Sequence, residues 1–272
     1  MRETLEAVLA GELTPAEAET RLRGYTTITD GDREARFDAA RETRRGVPEG
    51  ILAEGKTPAE VVAVTEEALS TSGRALVTRA DAETAARVES AVAESHPEAT
   101  VRRDDRAETV VAHAPDFDPP DVPATVAVVS AGLADARAAG EAATVVREAG
   151  PSVERYDDVG VANLDRTLDV VPALREADAV VVAAGREGAL PTVIAGRLDT
   201  PVIGLPVAAG YGAGGEGHAA LLGLLQSCTV LSVVNVDAGF VAGTQAALIA
   251  RQVASARTEE RDDPTHTETT DD

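Results

Sequence analysis

The chain holds one thiol, Cys228 in the string LLQSC, and it admits two roles. A free cysteine is ordinarily a small, inert apolar residue. Flanked by the polar Gln226 and Ser227, however, a thiolate can add to an electron-poor ring and later leave, which a hydroxyl does far less readily at neutral pH. Carboxylates that could work with it occur in three loops. Asp157 and Asp158, followed by Gly160 in YDDVGVANLDR, either cap the helix that starts near Asn163 or act as a base or magnesium ligand. Glu187, between Gly185 and Gly188 in AAGREGALP, is either a partner of a helix dipole or a general base. In SAGLAD, Ser130, Gly132 and Asp135 form either a capped strand-to-helix turn or a set of bare amides suited to a phosphate.

The richest loop is PVAAGYGAGGEGHAA, with glycines at 210, 212, 214, 215 and 217. So many glycines lose conformational entropy that a plain connector would keep, whereas a backbone that approaches a ligand closely requires them. Gly212 and Gly214 are therefore candidate binding residues, and Tyr211 among them can cover a ring. His218 follows as a base or a surface residue, and Asn235 and Asp237 in NVDAGF form a turn or a site wall. Lys56 is the one lysine in a chain that otherwise uses arginine. Its compact ammonium either contacts a substrate phosphate or site carboxylate, or is an ordinary surface charge.

These residues need a frame. From residue 125 onward, apolar runs alternate with helical patterns: strands are expected at 125–129, 153–156, 179–183, 201–205 and 231–235, and helices at 134–149, 164–177, 190–197, 217–227 and 244–255. Strands apolar throughout belong to a parallel sheet covered on both faces. The fold class is thus α/β, with a three-layer αβα doubly wound sheet whose ligands bind beyond the carboxyl ends of its strands. Before it, helices broken at Thr14-Pro15, a turn-rich segment around RRGVPEGILAEGKTP, helices at 58–69 and 82–94, and strands at 75–78 and 108–112 make a smaller α+β domain. The domains expected are 1–113, a proline-rich linker at 114–124, a catalytic domain at 125–256, and a disordered acidic tail at 257–272.

Composition narrows the partners. With 47 acidic and 25 basic residues the net charge is −22, which repels nucleic acid and anionic membranes alike. Acid enrichment with lysine depletion fits a halophilic interior, where screening acts over roughly 3 Å at 1 M salt. The charged N-terminal MRETLEAVLAGELTP, the absence of an apolar run near ~20 residues and a lone cysteine together predict a cytoplasmic protein.

The strings VSAGLAD, YDDVGVA, REGALPTVIAG, LPVAAGYGAGGEGHAALLGLLQSC and VVNVDAGFVAG, with the earlier RETRRGVPEGILAEGKTP, resemble the LarB family. LarB proteins are carboxylase/hydrolases that begin nickel-pincer nucleotide cofactor synthesis, and they lie within the superfamily of the purine-pathway aminoimidazole ribonucleotide carboxylases and mutases (PurE). The resemblance implies a PurE-like fold and, as in the related purine enzymes, an octamer; a homo-oligomer is also expected because the helix at 244–255 is apolar on more than one face and must be covered. It implies carboxylation of the pyridinium ring of nicotinic acid adenine dinucleotide by carbon dioxide, with hydrolysis of its phosphoanhydride to AMP and pyridinium-3,5-biscarboxylic acid mononucleotide. Cys228 matches the family's covalent nucleophile, and Asp158 and Glu187 are the expected catalytic carboxylates. Ser130, Gly132, Asp135, Gly160, Gly185, Gly188, Tyr211, Gly212, Gly214 and Lys56 are the expected substrate contacts. Magnesium is expected to arrive with the substrate, with no protein ligand identified and no tightly bound organic cofactor. Leu133, Asn163, Asp165 and Ala208 depart from the family pattern, while Cys228, Asp135 and Glu187 keep it. The alternatives are a purine-pathway carboxylase or mutase, against which YDDVGVA lacks the usual proton-shuttling histidine, and a non-enzymatic nucleotide sensor in which Cys228 is inert.

Overall fold

The structure, a computed structural model, describes residues 2–11, 13–15, 18, 24–30 and 33–262. The chain divides into two compact units, Met1–Pro119 and Pro120–Asp272. The division falls inside the 114–124 segment, and the first strand of the second unit already starts at Val122, which shortens the irregular stretch at its C-terminal side.

The first unit opens with the helix Arg2–Leu9. The second helix expected before residue 24 lies almost wholly outside the described residues. Strands β1 (Thr26–Asp30) and β2 (Arg33–Phe37) form an antiparallel hairpin. A separate mixed sheet is built from β3 (Gly50–Leu52), β4 (Arg74–Thr78), β5 (Thr100–Asp104) and β6 (Thr109–His113), in the order β3-β4-β6-β5. The helix Pro58–Ser72 starts at a capping box in which Thr57 and Glu60 exchange hydrogen bonds, a device that stabilises a helix start by about 1 kcal/mol. It packs with Ala82–Ser95 over a core of Val61, Leu69, Val77, Val88, Val92 and Val110.

The second unit is the expected doubly wound domain. Its strands β7 (Val122–Ser130), β8 (Pro151–Tyr156), β9 (Ala179–Ala184), β10 (Val202–Pro206) and β11 (Ser232–Val233) form one sheet in the order β11-β10-β9-β7-β8, parallel throughout. β11 is far shorter than the 231–235 run implied. The all-buried AVVVAA of β9 is apolar on both pleat faces because both are covered. On one side Leu174, Leu190 and Ile194 from the helices Leu164–Leu174 and Ala189–Ala195 meet Val180 and Val182, each such side chain contributing about 1.5–3 kcal/mol. On the other side the helices Ala136–Ala149 and Gly239–Asp262 pack together and onto the sheet. The sheet grows from β7 to β8 in one direction and to β9, β10 and β11 in the other, so the loops after β7 and β9 leave toward opposite faces and open a crevice between them.

Two expectations need correction here. The segment from 257 is not wholly an irregular tail: the last helix runs to Asp262, and Arg257 donates to Asp178 at 2.5 Å, whose other oxygen accepts the Thr125 N–H at 2.8 Å. Residues 263–272 lie outside the described residues. The apolar content of that helix is also largely satisfied within the chain, since Ala242, Ala246, Ala247, Ala250 and Ala254 are buried. In this unit the most exposed large aliphatic side chains besides Leu133 are Leu222, Leu225 and Val230, at 62%, 60% and 96%. No described helix is long and apolar enough to cross a membrane.

Candidate active site

Main-chain bonds tie the carboxyl ends of the strands together before any side chain acts. Ala131 N–H donates to Ala183, Val207 N–H to Ala184, Arg186 N–H to Ala209, and Asp237 N–H to Pro206. The loops so fixed surround a cavity of about 410 Å³ at the crevice. Gly132, Leu133 and Asp135 line it from the β7 loop, Gly160 and Val161 from the β8 loop, Gly185, Arg186 and Glu187 from the β9 loop, and Gly210 and Tyr211 from the β10 loop.

Two aspartates hold this rim in shape. Asp135 is 5% exposed, and its two carboxylate oxygens accept the Gly132 N–H at 2.8 Å and the Gly185 N–H at 3.1 Å. Burial pushes its carboxyl above the usual range, opposed by those two N–H groups and reinforced by the neighbouring Asp237. Asp237 sits in the left-handed region at φ 55, accepts the Ala208 N–H at 3.1 Å and pairs with Arg137 at 2.8 Å, which anchors the start of the β10 loop. Left-handed backbone at a non-glycine residue is strained by roughly 1–2 kcal/mol. Asp158, Arg186 and Asp237, following β8, β9 and β11, all adopt it.

The structure therefore redistributes the expected roles. The Gly132 and Gly185 amides line the cavity but are already given to Asp135, so neither is a free donor for a phosphate. Ser130 is 1% exposed and its hydroxyl donates to Asp157 at 2.8 Å, an aspartate that also pairs with Arg155 at 2.8 Å; it faces β8 rather than the cavity. Asp158 does not line the cavity either, because its left-handed backbone turns the carboxylate toward Arg166, 3.1 Å away on the following helix. Gly188 starts the helix Ala189–Ala195 at φ 67, and Gly212 and Gly214 stand beyond Tyr211, outside the lining. Lys56 belongs to the first unit, where its ammonium donates to the Leu52 carbonyl at 2.5 Å and lines a separate cavity of about 400 Å³ with Glu34 and Glu60. Glu187, expected as a catalytic carboxylate, and Tyr211, expected as a substrate contact, both line the cavity.

Cys228 is exposed and is not in the lining. The helix His218–Leu225 leads from the rim back toward the amino end of the sheet. The cysteine follows it, just before β11, where Thr192 donates to the adjacent Ser227 hydroxyl at 2.9 Å. A single chain thus separates its thiol from its cavity. Arg186, by contrast, was passed over in the sequence, although a charged residue wedged between Gly185 and Glu187 immediately after an apolar strand was a visible signal.

Packing by itself requires a glycine at 160, which also lines the cavity: a Cβ there would lie 2.6 Å from the Ala131 carbonyl oxygen, and a backbone atom cannot swing aside. Gly160→Ala is expected to destabilise the protein by about 1–3 kcal/mol in urea unfolding. An unchanged midpoint would show that the β7 and β8 loops part freely.

The chain's similarities agree with this architecture. Residues 29–113 match the LarB/PurE-like N-terminal domain, and residues 125–268, more than half of the chain, match AIR carboxylase. An uncharacterized protein of Methanocaldococcus jannaschii is 29% identical over 255 residues, covering 92% of this chain and 97% of that protein. Taken with the parallel sheet and the cavity at its switch point, these matches make the chain a member of the AIR carboxylase family, a carboxylase of the PurE superfamily whose N-terminal domain is of the LarB kind.

Proposed function

We propose that this carboxylase acts on the pyridinium ring of nicotinic acid adenine dinucleotide and also hydrolyses its phosphoanhydride, giving pyridinium-3,5-biscarboxylic acid mononucleotide and AMP. The observation that carries the reading is the joining of a LarB/PurE-like N-terminal domain to an AIR carboxylase domain in one chain. The electrophilic ring calls for a nucleophile, and a thiolate meets that need. Sulfur of Cys228 adds to the ring carbon para to nitrogen, and the ring electrons move onto nitrogen to leave an enamine. The enamine carbon next to the site of addition attacks carbon dioxide and forms the new carbon–carbon bond. Glu187, at the cavity, takes the proton from that carbon, and the electron pair so released expels the thiolate and restores the aromatic cation. Tyr211 covers the ring.

Because Cys228 and the cavity lie apart in one chain, this reading has a second copy deliver the cysteine. The exposed Leu222, Leu225 and Val230 on either side of it in sequence support an intersubunit location, and a closed symmetric assembly such as an octamer would repeat the arrangement at every site. For the hydrolytic half, a magnesium ion brought by the dinucleotide phosphates would neutralise charge on them. Among the described residues no three His, Cys, Asp or Glu side chains are grouped to hold a metal. The donor set fits an ion carried mainly by phosphate and water, with Glu187 the cavity carboxylate not already holding the loops.

Incubation of the protein with nicotinic acid adenine dinucleotide, bicarbonate and magnesium is expected to release AMP and a mononucleotide heavier by one carboxyl group, both read by mass spectrometry. Turnover of aminoimidazole ribonucleotide instead would assign the chain to the purine reaction for which its larger domain is described.

A further inference from the structure

The cations around the carboxyl end of the sheet are almost all engaged. Arg137 pairs with Asp237, Arg155 with Asp157, and Arg166 with Asp158, at 2.8, 2.8 and 3.1 Å. Arg186 differs. It is exposed, makes no ion pair among the described residues, lines the cavity, and holds its guanidinium carbon 4.7 Å from the centroid of the Tyr211 ring. Its backbone is left-handed at φ 51 and fixed by its own N–H bond to Ala209, so the residue is aimed by the loop rather than left to wander. Among the described lining residues it is the one cation, set against Asp135 and Glu187. The Gly132 and Gly185 amides that a phosphate could have used are bonded to Asp135. An anionic ligand entering this cavity therefore meets one group able to neutralise it.

We propose that Arg186, stacked on Tyr211, is the specificity-determining residue of the cavity and seats an anionic oxygen pair of the substrate, carboxylate or phosphate. The planar fork matches two coplanar oxygens, and its hydrogen bond and ring contact with Tyr211 hold it at the cavity, where Glu187 also attracts it. This deepens the pyridine-nucleotide reading and rests on it. In that substrate the oxygen pair belongs either to the ring carboxylate, so that Arg186 selects the acid over the amide, or to the phosphate.

Calorimetric titration of wild type and Arg186→Gln with three ligands tests it: nicotinic acid mononucleotide, nicotinamide mononucleotide and nicotinic acid riboside. The expected result is a loss of about tenfold to a hundredfold in affinity for the acid mononucleotide in the variant, at an unchanged melting temperature. If the carboxylate is held, the acid riboside is weakened with it and the amide mononucleotide is not. If the phosphate is held, both mononucleotides are weakened and the riboside is not. Equal affinities of wild type and variant for all three ligands overturn the assignment while leaving the pyridine-nucleotide reading standing. Wild type that binds none of them but binds inorganic pyrophosphate through Arg186 overturns the nucleotide reading and keeps the anion site. Wild type that binds neither class overturns both.

Discussion

Cys228→Ser is expected to fold and assemble like the parent and to lose pyridinium carboxylation by on the order of 10³-fold or more, the scale seen when a covalent nucleophile is removed. The two halves of that result come from different physics. The side chain is exposed, and exposed substitutions away from packing or capping features shift stability by no more than about 0.5 kcal/mol; circular-dichroism melting should be superimposable. The chemical loss arises because an alcohol is too weakly acidic to supply the anion that adds to the ring. A variant that carboxylates at the parental rate would dispose of the covalent step and leave the cavity's Glu187 to work without it.

The same experiment can ask whose cysteine is used. If the thiol reaches a neighbouring chain's cavity, mixing inactive Cys228→Ser with inactive Glu187→Gln under conditions that exchange subunits should restore turnover, because some sites then combine an intact thiol with an intact carboxylate. If both groups act within one chain, every mixed site lacks one of them and the mixture stays dead. A monomer by light scattering in high salt would refute the intersubunit arrangement directly.

Much of the frame is legible in the amino-acid sequence because burial writes it there. AVVVAA and VIGLP are apolar at every position for the reason that both sheet faces are covered, and their spacing by helical segments is what parallel crossovers require. What stayed hidden was polar or short. TVRRD of β5 alternates exposed with half-buried positions and reads as a charged loop, β3 has three residues among turn formers, and TTITDGDREARF of the β1–β2 hairpin carries too few apolar residues to announce itself. At the cavity, loop position was readable but side-chain direction was not. Ser130 and Asp158 occupy the expected loops, yet one faces Asp157 and the other Arg166, and such a choice depends on neighbours distant in sequence. Arg257 holding Asp178 across 79 positions is a pairing of the same kind, and it is why the last helix outlasts its apolar pattern.

Asp135→Asn separates holding the site from doing chemistry in it. The two aspartate oxygens accept one buried and one part-buried backbone N–H, from Gly185 and Gly132, whereas asparagine offers one oxygen and turns an amide donor toward the other N–H. The misplaced donor leaves a buried group unsatisfied, a loss of about 1–3 kcal/mol, and frees either the β7 or the β9 loop from the cavity. Activity should fall at least tenfold with KM rising, since each substrate contact on those loops is displaced. The pH dependence gives the sharper test. Burial raises the carboxyl pKa, so protonation, which replaces an acceptor with an O–H donor, breaks one loop tie at a pH above the ordinary aspartate range, and wild-type activity should decline there on acidification. Stability moves the opposite way for this group. A folded-state pKa above the unfolded value means that the native state binds the proton more tightly, so the Asp135 contribution to unfolding free energy falls as pH rises from the unfolded value to the raised one and improves again on acidification. The asparagine variant should lose both dependences together, the acid limb of the rate profile and the acid-side gain in melting temperature relative to its neutral value. Retention of the acid limb in Asp135→Asn would assign it to another group, with Glu187 the first to examine.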